Sequence, residues 1–179
     1  FPSIEEFLEA ITQQPAEWDF YYGINPRESR NGTAEAVTHV TCVWADLDWK
    51  NFQNGRDEAL ERIRKFPLPP TVVVESGHGF HVYWLFKEPE RLDDPDSFRL
   101  IVKGVHKNLG SDQVDDLPRI FRVPGTLNYK DLNNVIPCKI IFSDYSRRFV
   151  ISDFEPFALS PEEASQSHKA ASGIGDFIV

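Results

Sequence analysis

Two runs of strand-forming residues, residues 71–75 (TVVVE) and 80–86 (FHVYWLF), flank Ser76-Gly77-His78-Gly79. β-branched and aromatic side chains suit a pleated, buried surface, and two glycines supply the backbone conformations of a tight connection. The stretch predicts a β-hairpin, and with it an antiparallel sheet at the heart of the chain. On the second run His81 shares a face with Tyr83 and Leu85, while Val82, Trp84 and Phe86 fill the other. A lone histidine in a strand is ordinarily a satisfied core or surface residue. Here it follows a Ser-Gly-x-Gly turn whose bare amides can approach an anion, so imidazole and turn together suit the phosphates of one nucleoside triphosphate.

A second strand is predicted over residues 37–48, ending Val43-Trp44-Ala45-Asp46-Leu47-Asp48. Residues two apart share a face, so Asp46 and Asp48 point one way and Val43, Ala45 and Leu47 the other. Aspartate is a poor strand former, and like charges at that spacing repel unless a cation lies between them. Hard carboxylate oxygens suit Mg²⁺ or Mn²⁺, ions that bridge carboxylates to nucleotide phosphates. The plainer alternative is a half-exposed strand whose polar face carries two acids.

Helical periodicity marks three further elements. Residues 4–13 carry Ile4, Phe7, Leu8 and Ile11 in register behind Ser3 as N-cap, and Pro15 ends the run. Residues 56–66 carry Ala59, Leu60, Ile63 and Phe66, stopped by Pro67. Residues 95–109 carry Phe98, Ile101, Val102, Val105 and Leu109, closed by Gly110. Strands are expected at residues 18–24, 119–122 and 136–142, and residues 160–173 read as a helix end or linker. Arg27 and Arg30 sit in a polar loop, either solvated or touching phosphate or template.

At 179 residues the chain fits one domain, with 41% apolar and 26% charged residues, as in globular proteins. Cys42 and Cys138 have no CxxC partner, so neither zinc nor a disulfide framework is expected. No apolar run approaches the ~20 residues that span a bilayer, and no signal peptide is evident, so a cytoplasmic location is expected. The chain starts at Phe1 and contains no Met, which leads us to expect a domain cut from a longer protein. Its net charge of −9 argues against nucleic acid, yet residues 119–148 hold six basic residues (Arg119, Arg122, Lys130, Lys139, Arg147, Arg148) against two acids. Local positive surface on an acidic protein is therefore expected. Acids followed by spaced arginines are also consistent with a merely solvated, salt-bridged face.

Three blocks thus stand in order: Asp46-x-Asp48, Ser76-Gly-His-Gly-Phe-His81, and Asp112 ahead of Arg119-Ile-Phe-Arg122-Val-Pro-Gly-Thr-Leu-Asn-Tyr-Lys130. Together they resemble the archaeo-eukaryotic primase superfamily, and within it the bacterial, phage and plasmid primase-polymerase branch, over residues 18–142. The resemblance implies an α+β fold, an N-terminal α/β module plus an RRM-like antiparallel sheet flanked by helices. It implies residues 1–150 as catalytic domain and 151–179 as an extension toward a downstream domain. It also implies priming or primer extension on a single-stranded DNA template from dNTPs or NTPs, with two ions of Mg²⁺ or Mn²⁺. Position by position, Asp46, Asp48 and Asp112 become the metal-binding catalytic acids. Ser76, Gly77, Gly79 and His81 hold the triphosphate, with Arg119, Arg122 and Lys130 on its phosphates. The third acid stands one residue closer to the first arginine than in many relatives, which leaves Asp116 as the alternative to Asp112, with Asp115 beside it. A helicase or integrase domain, in the parent protein or operon, is the partner such a domain implies, in plasmid or phage replication, repair or a CRISPR-linked setting.

Chemistry at the residue level is compatible. Two metal ions about 3.5–4 Å apart can polarise a 3′-hydroxyl and neutralise pyrophosphate, so no protein nucleophile is needed. Tyr21, Tyr22, Tyr83 and Tyr129 can stack on bases, although core packing is the default role for each. Other readings are a DxD glycosyltransferase, a non-catalytic replication-origin DNA-binding module, and a metal-dependent nuclease.

Overall fold

A computed structural model describes residues 3–15 and 17–165. Helix α1 (Ile4–Thr12) opens with Ser3, whose hydroxyl accepts the Glu6 N–H at 3.2 Å. Strand β1 (Tyr21–Gly23) follows, then β2 (His39–Asp48), α2 (Gly55–Lys65), β3 (Val72–Glu75), β4 (Gly79–Arg91) and α3 (Pro95–Leu109). Strands β5 (Ile120–Arg122), β6 (Leu127–Asn128), β7 (Ile136–Pro137) and β8 (Lys139–Ser143) complete the sheets, followed by a 3₁₀ segment, Ile151–Phe157.

The main sheet has the order β2-β4-β3-β8, every pair antiparallel. The β2-α2-β3-β4-α3 run places β4 between β2 and β3, and β8 adds to the far side of β3. The predicted hairpin is present, and β4 outruns its predicted end by five residues, to Arg91. Helix α3 has the predicted bounds. Asp94 caps it by accepting the Ser97 N–H at 3.1 Å, and Gly110 ends it in the left-handed region at φ 69°.

One face of β4 presents Phe80, Val82, Trp84 and Phe86 to the helical layer, where Trp84 meets Phe66 at 5.3 Å and Phe86 meets Phe98 at 6.5 Å. The packed body continues beyond residue 150. Phe154 is fully buried, with its ring 5.4 Å from Phe149 and 6.3 Å from Trp84. Of residues 160–173, only the part up to Ser165 lies within the described residues.

Two strand expectations need correction. Residues 18–24 form a strand only over Tyr21–Gly23, because β1 pairs with the three-residue β5 and has no longer partner. Residues 136–142 are not one strand. Pro137 has no N–H for a continuing ladder, and Cys138 donates its own to Thr126. The chain therefore changes partner there, from β6 on one side to β3 on the other. Among the described residues no helix is long and apolar enough to cross a membrane.

Candidate active site

The second face of β4 leads into a cleft of about 320 Å³, walled by β2, the hairpin turn, β5 and the segment through β6. Asp46 lies opposite His81 in the β2–β4 register, and Asp48 opposite Gly79. The turn is closed by Ser76, whose N–H donates to the Gly79 carbonyl at 2.9 Å. Gly77 adopts φ 111°, a conformation that side chains resist. At Gly79 an added Cβ would stand 2.6 Å from the Leu47 carbonyl oxygen, so only glycine lets the turn lie against the acidic strand. Asn128 donates its side-chain amide to the Ser76 carbonyl at 2.8 Å and clamps the turn from β6.

The acids form one wall. Asp46 and Asp48 line the cleft, and Asp112 is brought beside them because its backbone N–H donates to the Asp46 carbonyl at 3.0 Å. Burial, with the Asp112 charge next in weight and Asp48 adding to it, pushes the Asp46 carboxyl up to about 6 against the opposing pull of Arg119 and Lys50. Burial acts on Asp48 too, but hydrogen bonds from Lys50 outweigh it and hold that carboxyl below its ordinary value. Asn51 donates to Asp112 Oδ1 at 2.6 Å. With Asp48 and Asp112 each turned to a neighbour of its own, no three His, Cys, Asp or Glu side chains among the described residues close on a common point. Asp116 instead pairs with Arg119 and lines a different hollow, beside Leu117 and Pro118.

The opposite wall is basic and aromatic. His81 stacks on Phe121 with ring centroids 4.1 Å apart and planes 11° apart. Burial, reinforced by Arg122 and Arg119, lowers its imidazole to about 3, so the ring is neutral, and its Nδ1 is buried without a hydrogen-bond partner. Arg122 is 5% exposed, pairs with Asp19 and donates to the Tyr21 hydroxyl at 2.8 Å. Arg119 and the exposed Lys130 complete the lining. Ser76 and Gly79 also line it, while Gly77 sits outside the wall against Asn128.

No protein-family model matches the chain. An uncharacterized protein of Methanocaldococcus jannaschii is 29% identical over 123 residues, which cover 62% of this chain and 9% of that protein. Among solved structures, the AEP (archaeo-eukaryotic primase) domain of the cyanophage S-2L primase-polymerase superposes with a TM-score of 0.63 at 14% identity, covering 88% of this chain and 77% of that one. The fold is that of an archaeo-eukaryotic primase domain. A primase RepB′ structure also aligns, at TM-score 0.49 and 12% identity, over 74% of this chain and 44% of that one.

Within this primase-type fold Asp46, Asp48, Ser76, Gly79, His81, Arg119, Arg122 and Lys130 line one cleft and Asp112 adjoins it through its backbone, while Gly77 and Asp116 lie outside it. Sequence reasoning missed Asp19, Lys50, Asn51 and the clamping role of Asn128. Lys50 and Asn51 follow Asp48 so closely that their proximity was a usable signal. Asp19, some hundred positions before Arg122, gave none.

Proposed function

We propose that this domain catalyses template-directed nucleotidyl transfer as a DNA primase and polymerase. It would draw on dNTPs or NTPs with two Mg²⁺ or Mn²⁺ ions, on a single-stranded DNA template with or without a primer. The observation that supports this most is the division of one cleft into an acidic wall, Asp46, Asp48 and the adjoining Asp112, and a wall of His81, Arg119, Arg122 and Lys130.

The donor set fits divalent ions. Its ligands are hard carboxylate oxygens, and the half-buried Asp46 carries a raised proton affinity, from desolvation first and then from the Asp112 and Asp48 charges. Asp46, Asp48 and Asp112 would hold the ions, which when bound neutralise the pyrophosphate leaving group and lower the pKa of the attacking hydroxyl. The 3′-oxygen forms a bond to the α-phosphorus, the bond from that phosphorus to the bridging oxygen breaks, and pyrophosphate leaves. Arg119, Arg122 and Lys130 meet the triphosphate charge, and the neutral His81 can donate one N–H to a phosphate oxygen. The stack on Phe121 fixes the imidazole plane beforehand, so orientation is not lost on binding.

The reading extends to a cytoplasmic setting and to a helicase or integrase partner domain. The test is incorporation of labelled dNTPs and NTPs on single-stranded templates, with and without primer, in Mg²⁺ and in Mn²⁺. Synthesis that depends on template and disappears in the Asp46→Ala/Asp48→Ala double variant is expected. DNA binding with no synthesis would favour an origin-binding module. Turnover of sugar nucleotides without a template would favour a glycosyltransferase.

A further inference from the structure

Both outer acids of the cleft are held by one short turn. The 3₁₀ turn Trp49–Asn51 begins where β2 ends, and Asp48 caps it by accepting the Lys50 N–H at 3.1 Å. The Lys50 ammonium then reaches back to Asp48 Oδ2 at 2.6 Å, while the next residue, Asn51, donates to Asp112 Oδ1 at 2.6 Å. Trp49 anchors the turn between them: its backbone N–H donates to the His78 carbonyl at 3.0 Å and its ring lies 5.6 Å from Phe80. The Lys50 side chain is 71% exposed, so packing does not hold it; the ammonium is held by the negative potential of the acids. A long side chain gives up rotamer freedom to stay there, and an exposed pair returns little.

Taking the acids as ion ligands, as proposed above, we infer that Lys50 and Asn51 are the built-in occupants of the divalent-ion site. The ammonium neutralises Asp48 and the amide satisfies Asp112 while no ion is bound, and both carboxylates must be released before an ion is held. The arrangement offsets the repulsion between the acids until an ion binds and lowers affinity for the ion. Loading is then a displacement in which the turn loses both of its side-chain bonds to the acids, and Trp49 lies within that turn.

Mn²⁺ binding, read as free-ion electron paramagnetic resonance and as tryptophan fluorescence, tests this without reference to activity. In Lys50→Met the competing cation is gone, and Mn²⁺ should bind about three- to tenfold tighter, the range set by an exposed pair strengthened by neighbouring acids. Lys50→Arg keeps the cation and should stay near wild type. Lys130→Met removes an equal charge that is not bonded to the acids and should change affinity less than Lys50→Met. Wild-type fluorescence should respond to Mn²⁺, and the Trp49→Phe variant should lose that response. If wild type binds Mn²⁺ through Asp46 and Asp48 but Lys50→Met binds it no tighter, displacement is wrong while the metal reading stands. If wild type binds no Mn²⁺, both fall together.

Discussion

The two stretches of β4 solve opposite problems. At Trp84 the side chain is satisfied: the indole N–H donates to the Leu68 carbonyl at 2.7 Å, and Phe66 and Phe154 close on the ring. Three residues earlier, at His81, a ring nitrogen is buried without a partner, and the facing strand carries a carboxylate pushed up to about 6. The first stretch is satisfied and the second is left in deficit. Groups whose needs are unmet in the folded chain are the ones a ligand can satisfy, so the deficit marks where binding free energy is available.

This contrast can be broken most forcefully at the aromatic end. Trp84→Ala removes a fully buried indole in contact with the Phe66 and Phe154 rings and should lower unfolding free energy by about 3–5 kcal/mol, measured by urea denaturation. A loss under about 1 kcal/mol would mean this end is no better packed than the cleft.

The next largest effect is expected from acid. His81 and His106 are both buried, with imidazoles lowered by burial to about 3 and about 4 from an ordinary value of 6.5. The unfolded chain therefore binds protons that the folded chain refuses, and stability present above pH 6.5 is lost as pH falls toward those values. Between pH 7 and pH 5 each imidazole should remove about 2 kcal/mol. Asp46 acts in the opposite sense, since its folded pKa is raised and protonation there returns about 1 kcal/mol over the same interval. His106→Gln should flatten the urea-measured pH dependence by about 2 kcal/mol; an unchanged slope would show that His106 is not held neutral.

Asp46→Asn sharpens the comparison in the cleft itself. Removing a half-buried, desolvated charge that is also repelled by Asp112 and Asp48 should stabilise the fold at pH 7 by about 1–2 kcal/mol while abolishing synthesis. The gain should be full above pH 6 and fade as pH falls through 3.8, below which the wild-type carboxyl is protonated in both states. A destabilised variant would mean that Asp46 is a structural residue.

Legibility from sequence followed the same divide. The satisfied parts, such as the Val72–Glu75 and Gly79–Arg91 hairpin and the Pro95–Leu109 helix, were readable because local propensity, periodicity and caps agree there. Residues 136–142 misled because both halves favour strand, and only tertiary pairing shows that the partner changes at Cys138. In the cleft, residue types announced the acids and arginines, but not which neighbour each one holds. That Asp112 rather than Asp116 meets Asp46 depends on one backbone hydrogen bond, and that Arg122 is held by Asp19 depends on β1 pairing with β5. Contacts this distant in sequence carry no periodic signal.

The smallest effect should come from the amino-terminal helix, which has periodicity but no burial. Ser3 accepts the Glu6 N–H, a cap usually worth about 1 kcal/mol to the helix it starts. Yet no residue of α1 is buried, and Ile4 and Leu8 are 61% and 53% exposed. Fraying the first turn therefore uncovers little apolar surface, and the cap's free energy is not transmitted to the sheet. Ser3→Ala should reduce the helical circular dichroism slightly and increase amide exchange within residues 4–7, while shifting global unfolding by less than about 0.5 kcal/mol. A shift of 1 kcal/mol or more would show that α1 unfolds together with the core, and that the division drawn along β4 does not extend to the rest of the chain.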